Sequence, residues 1–193
     1  MKGTVINMAT KIYIDQGHNP QNPNAGAEGN GLREQDITYD IGQRLSQILR
    51  SEGYETRLSR PTPETQLGTS NASSLSARVN DANSWGADYF ISLHTNAAAS
   101  SSARGSEAYV YRRGSSAAAL AEDILEGLNS RTGLPTRGVF PRPSLYVLRR
   151  TQMPAVLVEL GFITNPADAA LMRDRPYLFA RGIADGINDF LGR

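Results

Sequence analysis

Asp88-Tyr89-Phe90-Ile91-Ser92-Leu93-His94 is the stretch on which the fold turns. Its apolar run reads as a buried strand, and a histidine closes it. Two other runs share this character. Lys11-Ile12-Tyr13-Ile14-Asp15 is a short β-type run that ends in a loop, Gln16 to Gly31, dense in Gly, Asn and Pro. Pro154-Ala155-Val156-Leu157-Val158-Glu159 is the last strong strand, closed by a carboxylate. Tyr54 to Ser59 and Glu107 to Arg112 read as further strands, and Leu145 to Leu148 as a short one.

Helical patterns lie between these runs. Ile37, Ile41, Leu45, Ile48 and Leu49 recur at helix spacing from Glu34 to Glu52, and Gly53 follows as a stop. Pro61 to Ser74 is polar and loop-like, and Leu75, Val79, Ala82 and Trp85 then mark a helix ending at Gly86. Ser115 to Arg131, a short helix opened by Asn165-Pro166, and Tyr177 to Leu191 complete the set. Ala97 to Arg104 is a low-complexity Ala/Ser loop, expected to be mobile.

Strands and helices alternate, without repeats or a second composition regime. That pattern predicts an α/β fold: a single domain over residues 11–193, with a mostly parallel twisted sheet of about six strands and helices on both faces. Residues 1–10 read as an N-terminal extension, flexible or vector-derived.

Composition narrows the function classes. Twenty Lys and Arg stand against nineteen Asp and Glu, so no basic surplus points to nucleic acid or an acidic membrane. No apolar run approaches the roughly 20 residues a membrane span needs. With no cysteine, thiol nucleophiles, Cys-based zinc sites and disulfides are excluded. The opening ten residues lack the apolar stretch of a signal peptide. Either a leader was removed or export follows another route, such as lysis.

Only two histidines occur, His18 and His94. If the three strong strands run parallel, His18, His94 and Glu159 gather at one rim, where open α/β sheets bind ligands. Glu34, at the start of the first helix, reaches the same rim. Two histidines and a carboxylate suit Zn²⁺, with a fourth position left for water. A further carboxylate beside that water serves as general base. Each residue also has a plainer reading. A lone histidine at a strand end is more often structural, and Glu34 alone looks like an acidic residue favouring a helix N-terminus. Glu159 is harder to dismiss, because an unpaired charge in an apolar strand is costly. Asp15 reads as structural, holding the loop or a ligand histidine. Glu107 reads as a solvated strand opening.

Together these blocks resemble the zinc N-acetylmuramoyl-L-alanine amidases of the amidase-3 family, from about Lys11 to Leu191. The resemblance is carried by Ile14-Asp15-Gln16-Gly17-His18, by Gly31-Leu32-Arg33-Glu34, and by Leu58-Ser59-Arg60. Leu75-Ser76-Ala77-Arg78-Val79-Asn80-Asp81-Ala82-Asn83 and Phe90-Ile91-Ser92-Leu93-His94-Thr95-Asn96-Ala97 extend it. Pro154 to Asn165 closes it. The resemblance implies one zinc per chain held by His18, Glu34 and His94, with Glu159 as the catalytic carboxylate. It implies a secreted hydrolase, an autolysin or endolysin, acting as a monomer on peptidoglycan or muropeptides outside the cell, in the wall or the periplasm. The bond cut would join N-acetylmuramic acid to the L-alanine of the stem peptide.

Two departures from the family pattern stand beside the cleft. Asn19-Pro20 follow the first histidine where two glycines are usual, and Gln16 replaces a small residue. Both are expected to alter substrate fit. The segment Gly133 to Leu148 is too short and too rich in Pro and Gly for the blocking helix of division-type members, which predicts an open groove. Asn96 is either a donor to a peptide carbonyl or a turn residue. Arg149 and Arg150 read first as an exposed basic pair and second as contacts for peptide carboxylates. The competing functions are a zinc carboxypeptidase-like peptide hydrolase and a non-catalytic wall-binding module. The latter would have no use for Glu159.

Overall fold

The computed structural model describes residues 9–193, so residues 1–8 of the expected N-terminal extension lie outside the described residues. The three apolar runs form adjacent strands. These are β1 (Lys11–Gln16), β5 (Tyr89–Asn96) and β8 (Ala155–Phe162). They are joined in one sheet by β4 (Glu55–Leu58), β6 (Ser106–Val110) and β7 (Thr136–Pro141), in the order β4-β1-β5-β8-β6-β7. Pairing is parallel throughout except between β6 and β8, which are antiparallel. A separate two-stranded ribbon, β2 (Glu28–Gly29) with β3 (Leu32–Arg33), closes the first loop.

Six helices cover the sheet: α1 (Glu34–Ser51), α2 (Asn71–Trp85), α3 (Ser116–Thr132), α4 (Tyr146–Arg150), α5 (Pro166–Asp174) and α6 (Pro176–Leu191). The two-residue alternation of strand side chains divides the core. Ile12, Ile14, Ile91, Leu93, Val156 and Val158 pack on one face with residues of α1, α3 and α6. Tyr13, Phe90, Ala155 and Leu157 pack on the other with residues of α2 and α4. The expected α/β architecture with helices on both faces therefore holds.

Several elements differ from the sequence reading. Helix α2 begins at Asn71 rather than Leu75, because Ser70 accepts from the Ser73 amide in a reciprocal capping box. Leu145 to Leu148 is not a strand. The segment from Tyr146 turns into α4, whose Val147 and Leu148 bury against the α2 side of the sheet. Strand β7 was not foreseen, because Gly138 and Pro141 interrupt the expected pattern. The Ala/Ser loop, expected to be mobile, is tied down where the Asn165 side chain donates to the Ser101 carbonyl and the Ala98 amide to Thr164. His94 and Glu159 lie inside β5 and β8 rather than closing them, since both strands run two or three residues further. Among the described residues, no helix is long and apolar enough to cross a membrane.

Candidate metal centre and its neighbouring carboxylates

Helices α2 and α4 cover only part of their face of the sheet. Beyond Tyr13, Phe90 and Leu157 the alternation continues with Asp15 and Gly17, Ser92 and His94, and Glu159. This continuation is polar. Because β1, β5 and β8 are parallel neighbours, it collects these residues side by side.

His18, Glu34 and His94 each turn one possible ligand atom inward, and these atoms lie within 4.8 Å of one another. Oε1 of Glu34 is 3.1 Å from Nε2 of His18 and 3.0 Å from Nδ1 of His94. Backbone amides hold the same carboxylate: Thr95 donates to Oε1 and Ala27 to Oε2, each at 2.9 Å. Burial raises the Glu34 carboxyl. The hydrogen bonds and charges of the two histidines outweigh that and hold it well below the usual carboxylate range. The two imidazoles are each about one-fifth exposed, so the group opens to solvent. Two imidazole nitrogens and a carboxylate oxygen converging from three elements fit a zinc ion by donor chemistry.

Local structure explains how His18 is delivered to this group. His18 has a left-handed backbone with φ +68°, uncommon outside glycine. That conformation is held by Arg78, a fully buried cation on α2. Arg78 donates to Asp15 Oδ1, to the Gln16 carbonyl and to the His18 carbonyl, each at 2.6 Å. Asp15 Oδ2 also accepts from Ser92 Oγ at 2.7 Å. Burial raises the Asp15 carboxyl, and the charge and bonds of Arg78 reverse this, leaving it lowered. Asp15 thus holds the loop, as expected from its position. Arg78 was not singled out in the sequence. A lone arginine inside a helical pattern carries no local mark of burial. Gly17 is needed for close approach: a Cβ there would lie 2.6 Å from Cε1 of His94 and 2.4 Å from the Leu93 carbonyl.

Two of the three residues that depart from the family pattern, Gln16 and Asn19, are bonded inside the fold. Gln16 is completely buried against Gly42 of α1, where a Cβ would lie 2.5 Å from its Cγ. Its side chain donates to the Tyr39 carbonyl and accepts from the Arg60 amide. Asn19 is also completely buried, bonded to Pro23, Leu67 and Arg78. Pro20, the other half of the Asn19-Pro20 departure, is only half-buried and lines a groove with Gln21, Arg33 and Asp36.

Glu159 pairs in register with His94 on β5 and with Glu107 on β6. Directly opposed side chains share a face and lie close. Oε2 of Glu159 is buried and has no hydrogen-bond partner. Burial first, then the charges of Glu34 and Glu107, push its carboxyl up to about 8. Glu107 is not the solvated residue expected. It is buried and accepts from Asn96 Nδ2 at 2.7 Å, from Arg137 Nε at 2.7 Å, and from the Tyr109 hydroxyl. Asn96 ends β5, and its side-chain oxygen also accepts from the Ala97 amide. Arg149 and Arg150 are exposed at the end of α4. Arg149 lines a groove with Met153, Pro154 and Ala155 at the start of β8, about 13 Å of strand before Glu159. The segment 133–148 forms β7 at the sheet edge and a turn into α4, not a helix over His18 and His94.

The family model described as N-acetylmuramoyl-L-alanine amidase matches residues 12–189. The chain belongs to that family of hydrolases. It is 40% identical to the N-acetylmuramoyl-L-alanine amidase LytC of Bacillus subtilis over 180 residues, spanning 91% of this chain and 34% of LytC. It is 36% identical to the amidase CwlM of Bacillus licheniformis over 182 residues, covering 92% of this chain and 67% of CwlM. Among solved structures, the catalytic domain of the amidase CwlV from Bacillus (Paenibacillus) polymyxa superposes with a TM-score of 0.82 at 31% identity. That match covers 95% of this chain and 98% of CwlV's domain. The chain therefore spans about a third of one curated relative and two thirds of another.

Proposed function

We propose that this domain is a zinc-dependent amidase. It hydrolyses the amide between the lactyl group of N-acetylmuramic acid and the L-alanine of the stem peptide, acting on peptidoglycan outside the cytoplasm. His18, Glu34 and His94 hold one zinc per chain, and Glu159 is the general base. The observation that carries this reading is the pairing of His94 with Glu159 in strand register, which sets an unpartnered carboxylate oxygen beside the three converging ligands.

Zinc, when bound, supplies Lewis acidity, which lowers the pKa of water and polarises a carbonyl. The remaining chemistry belongs to the side chains. In its ionised form Glu159 accepts a proton from the attacking water at Oε2 as the water oxygen bonds to the lactyl carbonyl carbon. It then passes that proton to the alanine nitrogen as the C–N bond breaks. The products are a lactyl carboxylate and a stem peptide with a free N-terminus. Glu34, held as an anion by two imidazoles and two backbone amides, does not compete for this proton. Asn96, whose side-chain amide also donates to Glu107, supplies a donor to a peptide carbonyl.

Digestion of purified muropeptides followed by mass spectrometry tests the reading. The expected products are intact stem peptides beginning with alanine, together with the free sugar lactate. Trimming of single residues from peptide C-termini would instead establish a carboxypeptidase.

A further inference from the structure

The register of β6 against β7 jumps at one position. Ser106 pairs with Thr136, but the next residue, Glu107, pairs with Gly138, which leaves Arg137 as an extra residue in β7. Gly138 carries φ +118°, a conformation side chains rarely adopt, and this lets the strand resume. Bulges of this kind re-aim a side chain and occur beside active sites.

Arg137 is held in a definite orientation. Its Nε donates to Glu107 Oε2 at 2.7 Å, and its guanidinium carbon lies 5.0 Å from the centroid of the Phe162 ring. The side chain nonetheless stays 42% exposed. Among the described residues, Nη1 has only a long contact to the Arg104 carbonyl at 3.4 Å, and Nη2 has no acceptor. A guanidinium anchored through one edge and open at the other is suited to a bidentate partner such as a carboxylate.

Its position relative to Glu159 defines what such a carboxylate belongs to. Glu107 stands directly opposite Glu159, and β7 lies two strands from β8, roughly 10 Å away. An extended peptide covers about 3.3–3.6 Å per residue, so that gap corresponds to two or three residues. Glu107 on β6 stands between them, a carboxylate that repels an anionic ligand unless a cation faces it. We infer that Arg137 is a substrate-binding residue that receives a carboxylate of the stem peptide two or three residues beyond the scissile amide, and so orients the peptide along β8, β6 and β7.

This inference rests on the amidase reading for the identity of the peptide, so its test uses binding as well as turnover. The probes are the free tripeptide L-Ala-D-γ-Glu-diaminopimelate and its counterpart amidated at every carboxylate. Titration calorimetry on the zinc-loaded wild type, Arg137→Ala and Arg137→Lys gives affinities. Turnover of the matching N-acetylmuramyl tripeptides gives kcat/KM. Arg137→Ala is expected to weaken binding of the acidic tripeptide about 10- to 100-fold, to lower kcat/KM on the acidic substrate by a similar factor, and to leave the amidated pair unchanged. Arg137→Lys recovers part of the loss. An equal loss on both probes would show that Arg137 acts only by bracing Glu107, and no loss on either would also overturn the inference. A wild type that binds the acidic tripeptide through Arg137 but cleaves neither substrate would overturn the amidase reading and leave this one standing.

Discussion

Glu34 and Glu159 are two carboxylates on the same open face, and their surroundings push them in opposite directions. Glu34 receives two backbone amides and faces two imidazoles, so its anion is favoured despite burial. Glu159 receives none of these, and burial first, then the charges of Glu34 and Glu107, push its carboxyl up to about 8. One site suits a permanent negative ligand and the other a group that takes up and gives back a proton. Two titratable groups pushed apart in this way are the pattern expected of distinct acid–base assignments.

The largest effects should come from exchanging these roles. Glu159→Gln is expected to keep stoichiometric zinc and lose about 100- to 10,000-fold in kcat. Glu34→Gln should lose the metal on dialysis, and activity with it, measured by elemental analysis beside the muropeptide assay. Full activity in Glu159→Gln would remove Glu159 from the mechanism. Stoichiometric zinc in Glu34→Gln would remove Glu34 from the ligand set.

Next in size is the support beneath His18. Arg78→Met leaves Asp15 as a buried carboxylate without its cation, and should cost about 3–5 kcal/mol in denaturant unfolding. The double variant Asp15→Asn/Arg78→Met should recover part of that cost. A loss below about 1 kcal/mol would mean that the His18 loop is held by other contacts.

The smallest effect concerns the stability of the metal-free protein. A carboxyl whose folded pKa exceeds its unfolded value binds its proton more tightly when folded. Its contribution therefore declines as pH rises, from about 4.5 towards about 8 for Glu159. Glu159→Gln should remove that decline and raise the Tm of the metal-free protein by several degrees at pH 8, with little change at pH 4. Glu34 carries the opposite sign. Its lowered pKa contributes stability above the ordinary carboxylate range, and that contribution is lost in acid. Equal melting curves for wild type and Glu159→Gln at pH 8 would show that Glu159 is not strained in the fold.

Much of the frame was legible in the residues. The apolar runs around Ile14, Ile91 and Val156 mark strands because a buried strand needs little beyond its own side chains to be recognised. The first helix followed from Ile37, Ile41 and Leu45 in the same way. Strand β7 and helix α4 were missed because their local signals mislead. Gly138 and Pro141 look like loop residues, and Leu145-Tyr146-Val147-Leu148 looks like a strand until α2 and the sheet give it a helical berth. Among site residues, His18 and His94 stood out by their scarcity and Glu159 by its apolar surroundings.

What the sequence by itself determined is the inventory and the local periods: two histidines, a carboxylate in an apolar strand, and alternating strands and helices. These depend on side-chain chemistry and on spacings of a few residues. Which charges meet was decided only in three dimensions. The pairing of His94 with Glu159, of Glu159 with Glu107, and of Arg78 with Asp15 joins residues 52 to 65 positions apart in the chain. Strand register and helix packing set those distances, and no short window of residues contains them.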